Sequence, residues 1–197
     1  MTHNWWLLLQ KSDETRISLG IDAYNDITGK MYQYDDHVPN HKNLKTGDYI
    51  VLRKENEILG YGYIGKIKTD ENRTKTHRRC PSCNQTDIRE RRTKTPKWKC
   101  GKCAFEFVLP DVTNTEVKTY EALFEEFIKL KSPPSVKEIK QCSKSPNAQN
   151  SILSLESRKI TELLKIELSS QGTKNHSNLT GGQGSRLSHP QRKAVED

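Results

Sequence analysis

Cys80-Pro81-Ser82-Cys83 is answered sixteen residues later by Cys100-Gly101-Lys102-Cys103. Two C-x2-C knuckles at this separation are the spacing of a four-thiolate zinc site, in which each tight turn aims two sulfurs at one tetrahedral ion. Pro81, Ser82 and Gly101 are the turn-forming residues such knuckles require. Residues 87–99 between them are long enough for a short hairpin, so the stretch predicts a zinc ribbon. Two disulfides or four unrelated thiols are the competing readings. No secretory signal accompanies the cysteines, which favours Zn2+ over disulfides. Four thiolates leave no open coordination position, so the metal is expected to be structural.

Working outward, the stretch from Arg73 to Cys103 holds eleven Lys or Arg against two acids, Asp87 and Glu90. The whole chain carries 33 Lys and Arg against 25 Asp and Glu, a net charge of +8. The ribbon and its approach, at +9, therefore account for all of the excess. Arg73, Lys75, Arg78, Arg79, Arg89, Arg91, Arg92, Lys94, Lys97, Lys99 and Lys102, with Trp98 among them, read as a phosphate-binding surface. The bland readings are a solvated face or a protein-docking knuckle.

Hydrophobic content of 32% and charged content of 29% are lean for a globular chain of 197 residues and imply an unpacked portion. The apolar run Trp5-Trp6-Leu7-Leu8-Leu9 is too short for a signal core, and no run approaches a membrane span. A cytoplasmic location without membrane contact is expected. The fifth cysteine, Cys142, reads as a buried thiol.

In order, residues 5–10 predict a strand apolar on both faces and hence central in a sheet. Residues 31–41 are aromatic and polar and carry no clear regular structure. Tyr49-Ile50-Val51-Leu52-Arg53 reads as a strand, and residues 58–67 return as a second one. Gly60, Gly62 and Gly65 in that second strand imply bending or close approach, a device of curved sheets and barrels. Residues 104–109 are strand-like. Residues 119–131 place Tyr120, Leu123, Phe124, Phe127 and Ile128 at helical spacing, although the end from Phe127 to Leu130 serves a strand equally. Short amphipathic helices are expected over 135–142 and 157–168. Residues 169–190 have linker composition, and 191–197 look like the start of a following, truncated domain.

The run Tyr32-x-Tyr34-Asp35-x-x-Val38-Pro39-Asn40, the Gly47-Asp48-x-Ile50-Val51-Leu52 strand, Ile58-Leu59-Gly60, the basic ribbon and Gln149-Asn150-Ser151-Ile152 occur in this order. Together they resemble the N-terminal domains of type IV, McrA-like modification-dependent restriction endonucleases, over residues 3–168. The resemblance implies an α+β fold: a PUA-like curved β-barrel, akin to EVE and YTH domains, with a few short helices. Residues 1–72 and 104–168 would form the barrel and 73–103 an inserted or appended ribbon. It further implies a reader of modified double-stranded DNA that extrudes a base into an aromatic pocket, with a nuclease domain following in the parent protein.

On that resemblance, Trp5 or Trp6, Tyr32 and Tyr34 are candidate pocket walls, and Asp35 and Asn40 candidate readers of the base edge. His41 would reach a phosphate or that edge. Arg73, Lys75, Arg78, Arg79, Arg91, Arg92, Lys94 and Lys97 would meet the DNA backbone. Gln149 and Asn150 would contact the backbone or fill the vacated stack. Each has a structural alternative: the tryptophans as core, Asp35-Asp36 as a turn cap, residues 147–150 as a helix cap. Methyl, hydroxymethyl and glucosylated cytosine and methyladenine all suit such a pocket.

No catalytic set is expected in this chain. Asp111 with Glu116-Val117-Lys118 imitates a metal-dependent nuclease, but the spacing is too tight for two strands. The six histidines are scattered, and no Gly-rich phosphate loop or G-x-S-x-G occurs. An RNA-binding PUA-like protein, or a zinc-ribbon adaptor on a protein machine, remain the alternatives.

Overall fold

The structure is a computed structural model that describes residues 3–11 and 18–166. The linker expected over 169–190, the domain start expected at 191–197 and the last two residues of the helix expected over 157–168 lie outside the described residues.

Strand order follows from which segments are apolar on one face and which on two. Strand β1 (Trp5–Gln10) is buried on both faces and lies between β3 (Tyr49–Lys54), parallel to it, and β9 (Ile152–Leu155), antiparallel. With β2 (Met31–Asp35), β4 (Glu57–Arg79) and β8 (Asp111–Lys129) these make a six-stranded sheet in the order β2-β8-β4-β3-β1-β9. One face, with Trp6, Leu8, Tyr32, Tyr34, Ile50, Leu52, Ile64, Ala122 and Ile152, packs into a single core. The other face of the β1 end, with Trp5, Leu7, Val51, Leu153 and Leu155, receives Ile139 of α1 (Val136–Gln141) and Ile160 of α2 (Ser157–Leu164). Cys142 is buried there, 5% exposed, as its sequence setting implies.

The sheet is curved and does not close. Edge strands β2 and β9 share the inner core through Tyr32, Tyr34 and Ile152. Asn40, after β2, donates from Nδ2 to the Ile152 carbonyl at 2.8 Å. No ladder joins the two edges among the described residues. In place of the expected α+β barrel, the described residues form a mostly β structure with an open sheet and two short helices.

Curvature comes from bulges. The β4–β8 register shifts at Tyr63/Ile64, at Ile64/Lys66 and between Asp70 and Arg73, and extra residues of this kind bend and twist a strand. The glycines fit this account: a Cβ on Gly60 would overlap the Ile128 carbonyl oxygen and stand 2.8 Å from the Phe127 ring.

Two expectations are corrected. Residues 119–131 are not helical; β8 runs as strand from Asp111 to Lys129. Tyr120, Ala122 and Phe124 alternate toward the core, and one bulged residue, Glu125, then moves the next inward side chain to Phe127. The i, i+4, i+7 spacing of 120, 124 and 127 is therefore an alternating strand with one residue inserted. Residues 31–35, whose aromatic and polar run carries no clear strand or helix pattern, form β2, held antiparallel to β8 from Met31↔Leu123 to Asp35↔Thr119.

Past the body of the sheet, β4 and β8 continue as a two-stranded arm to Arg79↔Asp111. At its tip sits a second sheet, β5 (Ile88–Glu90), β6 (Trp98–Cys100) and β7 (Glu106–Phe107), closed over Cys80, Ile88, Cys100 and Phe107. The basic residues from Arg73 to Arg79 are thus part of β4 itself. No helix of the described residues is long and apolar enough to cross a membrane.

Candidate functional site

The four cysteines converge as their spacing requires. Sγ atoms of Cys80, Cys83, Cys100 and Cys103 all lie within 4.8 Å of one another, with Cys80 to Cys103 at 3.7 Å and Cys83 to Cys100 at 3.5 Å. Zn–S bonds of about 2.3 Å at tetrahedral angles place sulfurs about 3.8 Å apart, so the donor set fits such an ion. Backbone N–H groups of Lys102 and Cys103 point at Cys100 Sγ, at 3.4 and 3.5 Å. Asn84 and Ala104, each just past a knuckle, take left-handed φ values of 58° and 59°. The cluster could hold a metal ion, and its four thiols agree with zinc.

The ribbon is tied to the arm by a segment that carried no sequence signal. Leu19 N–H donates to the Ile88 carbonyl at 2.9 Å, and Arg78 N–H donates to the Gly20 carbonyl at 2.6 Å. Gly20 is obligatory by contact, since a Cβ there would overlap the Thr86 carbonyl oxygen.

A cavity of about 590 Å³ opens where this segment passes β2 and β4. Tyr24, Asp26, Tyr32, Asp35, His37 and Lys75 supply its chemistry. Lys75 forms an ion pair with the fully buried carboxylate of Asp35. Its ammonium also donates to Tyr24 Oη at 2.9 Å and lies 4.6 Å from the centre of that ring. Asp35 Oδ1 accepts the His37 N–H at 2.9 Å. Burial works against the Asp35 charge, but the hydrogen bond and charge of Lys75, helped by Tyr24 and the His37 amide, hold its pKa below the ordinary value. Burial and the Asp35 charge push the Tyr24 phenol up, so it stays protonated. Asp26 accepts the Gln33 N–H at 2.7 Å, yet burial pushes its pKa from 3.8 to about 6. The cavity thus offers aromatic walls, a fixed ion pair and a carboxyl that changes charge near neutral pH.

Of the residues proposed on sequence for a base pocket, Tyr32 and Asp35 line this cavity. The other five stand elsewhere. Trp5 is fully buried on the helix-covered face and stacks on Tyr49 at 4.8 Å between ring centres. Trp6 points into the inner core and donates from Nε1 to Asp48 Oδ2 at 2.8 Å. Tyr34, fully buried, stacks on Tyr120 at 5.0 Å. Asn40 links its loop to β9, and His41 Nδ1 lies 2.9 Å from the Val38 carbonyl. Each serves packing or loop geometry where it stands. Sequence reasoning missed Tyr24 and Asp26, and it placed Lys75 on an outer phosphate-facing surface when its ammonium is turned into the cavity.

The basic surface is also less bare than its count. Seven of the eleven cations lie within salt-bridge distance of a carboxylate: Arg73, Lys75, Arg78, Arg89, Arg91, Lys97 and Lys99. Arg91 makes a two-pronged contact with Glu106, at 2.6 and 2.9 Å. The other four, Arg79, Arg92, Lys94 and Lys102, form no salt bridge among the described residues; Arg79 instead donates to the Asn84 carbonyl at 3.1 Å. Gln149 lines a second groove beside α1, and Asn150 lies next to it on the approach to β9.

No family model matches the chain, and neither a curated protein nor a solved structure is significantly similar to it.

Proposed function

We propose that this chain reads modified bases in double-stranded DNA, its sheet being a PUA-like open barrel and its ribbon a structural zinc site. The observation that carries the reading is the cavity over Tyr24, Tyr32, Asp26, Asp35 and Lys75, set at the root of a basic arm. Lys75 lies on the same strand as Arg78 and Arg79, which lead to the ribbon. A surface that grips phosphates therefore runs directly into a pocket of aromatic and hydrogen-bonding groups.

A volume of about 590 Å³ lies within the range of sites for small molecules, about 300 to 1,000 Å³. A base extruded from a duplex costs a few kcal/mol to unstack, offset by stacking and edge hydrogen bonds in the receiving pocket. Tyr24 and Tyr32 would supply the apolar walls. Asp26 would accept from an exocyclic amino group when ionised and donate to a ring nitrogen when protonated. Exposed ion pairs such as Arg73–Asp70 are worth little in water, so these cations can exchange a carboxylate for a DNA phosphate at small cost. Cys80, Cys83, Cys100 and Cys103 would hold Zn2+, which contributes folding energy to the arm's tip and no chemistry. In the parent protein the reader would direct a following nuclease domain to modified foreign DNA, as the resemblance to McrA-like enzymes implies.

Binding to matched short duplexes, unmodified and carrying methyl, hydroxymethyl or glucosylated cytosine or methyladenine, tests this at near-physiological salt. The reading expects one modification to bind at least about tenfold tighter, a difference of about 1.4 kcal/mol. Equal, salt-steep affinity for every duplex would sink it, and stronger binding to an RNA duplex would favour the RNA-binding alternative.

A further inference from the structure

We propose that the groove between the β3–β4 turn and α1 is a phosphate-binding site. The groove, about 610 Å³, presents Arg53, Lys137 and Lys140 together with the amides of Gln141, Asn147 and Gln149, and no residue that lines it carries a carboxylate. Three cations thus share one concavity with neutral donors. The titratable groups that act on Arg53, the Glu55 carboxylate and the Tyr32 phenol, line the other cavity and not this groove.

Arg53 makes this a built site rather than a basic surface. It is 8% exposed, near the end of β3, where a register shift at Leu52/Arg53 turns the strand. One guanidinium nitrogen donates to the Glu55 carbonyl at 3.0 Å. Its Nε is buried and has no hydrogen-bond partner. A buried guanidinium with an orphaned N–H is costly unless an acceptor completes it, and the planar fork suits a phosphate's paired oxygens. Lys140 donates to the Ala148 carbonyl at 2.9 Å, which fixes its ammonium at the rim with protons to spare. A tetrahedral anion would offer these cations several acceptor oxygens, where a lone carboxylate offers only two.

The site's place suggests a use. The turn after β3 sends Glu55 to the base cavity and Asn56 to the groove. An internucleotide phosphate next to an extruded base is one source of the ligand, and a free phosphate or nucleotide the other. The groove would bind phosphate through its own residues, whether or not the cavity takes a base.

Inorganic phosphate titrated into the full chain at constant ionic strength provides the test, followed by amide chemical shifts at Asn56, Lys137 and Gln149. The expected result is saturable shifts at these amides, with affinity reduced about tenfold or more in Lys137→Gln/Lys140→Gln, since a hydrogen bond to a charged group contributes about one decade. These lysines stand on the helix surface, so the double variant keeps the fold where Arg53→Gln could lose it. A second arm measures an unmodified duplex. If the double variant also weakens the duplex and lowers its salt slope by about one or two, the phosphate belongs to DNA. If inorganic phosphate binds and the duplex is indifferent to the variant, the site takes a free phosphate. Absence of saturable shifts, or equal affinity in wild type and double variant, overturns the proposal.

Discussion

Lys75 of β4 is paired with Asp35 of β2 although β8 lies between the two strands in the sheet. Asp35 and Asp70 both stand opposite Thr119 of β8, so Lys75 lies beyond the last residue of β2. It reaches Asp35 past the register shift between Asp70 and Arg73. The pair links the arm, the sheet edge and the cavity.

Removing the Lys75 ammonium would leave a fully buried carboxylate without its counter-charge. Lys75→Met is expected to destabilise the fold by about 3 to 5 kcal/mol at pH 7, read as a lower urea midpoint. The sign follows from the depressed Asp35 pKa: its contribution is present above the ordinary carboxylate pKa and disappears as pH falls through the lowered value. The variant's deficit should therefore shrink on acidification below about pH 4. A pH-independent deficit would show that the pair contributes packing rather than charge.

Asp26 behaves in the opposite sense. Its pKa is raised from 3.8 to about 6 by burial, so the folded state holds a proton that the unfolded chain has released across that interval. Stability is expected to fall as pH rises from about 4 to 6, and Asp26→Asn should remove that part of the decline. Partial exposure limits the gain to about 1 kcal/mol at pH 7. Urea titrations at pH 4, 5, 6 and 7 would show it; parallel profiles for the two proteins would contradict the assignment.

Chelation should act on the ribbon first. Ile88, Phe107 and the thiols are nearly all of the apolar material that the small sheet encloses, too little to hold it without a metal. A strong chelator, or Cys100→Ser, is expected to change Trp98 fluorescence and abolish protection of the β5–β7 amides. The amides of β1 and β3 should stay protected. Simultaneous loss of both sheets would mean that the ribbon is required for the whole fold.

Gly20→Ala tests the tether. With the new methyl overlapping the Thr86 carbonyl oxygen, the segment has to detach from the ribbon. Hydrogen exchange at Leu19 and Arg78, whose N–H groups serve that contact, should rise sharply. Unchanged protection there would place the segment's anchorage elsewhere.

What the sequence made legible was set by local chemistry. The knuckles, β1 with its two buried faces, and α1 with its Ser135 and Glu138 capping box each depend on residues close together in the chain. The failures came from long-range geometry. A single bulge at Glu125 gave strand β8 a helical spacing, and strand β2 hid among polar side chains whose partners lie across the sheet on β8. Of the cavity's residues, Tyr32 and Asp35 sit in a run with recognisable order, whereas Tyr24 and Asp26 belong to an irregular segment. Contacts from strands β4 and β2, Lys75 with Tyr24 and the Gln33 amide with Asp26, draw that segment to the site. The basic count overstated the free positive surface because Asp22, Asp35, Asp70 and Glu106 neutralise it from outside the stretch counted.

We propose that the Tyr24–Lys75–Asp35 cavity, and not the basic arm alone, distinguishes one base from another. Its most direct test is the affinity ratio between the preferred modified duplex and its unmodified match, measured for wild type and for Tyr24→Ala. Tyr24 is only partly buried, so the variant keeps the core, and stacking on an aromatic side chain is worth about 1 to 3 kcal/mol per base. The account predicts that Tyr24→Ala lowers the ratio about fivefold or more while binding to the unmodified duplex is unchanged. A ratio that survives the substitution intact would contradict it and place base recognition outside this cavity.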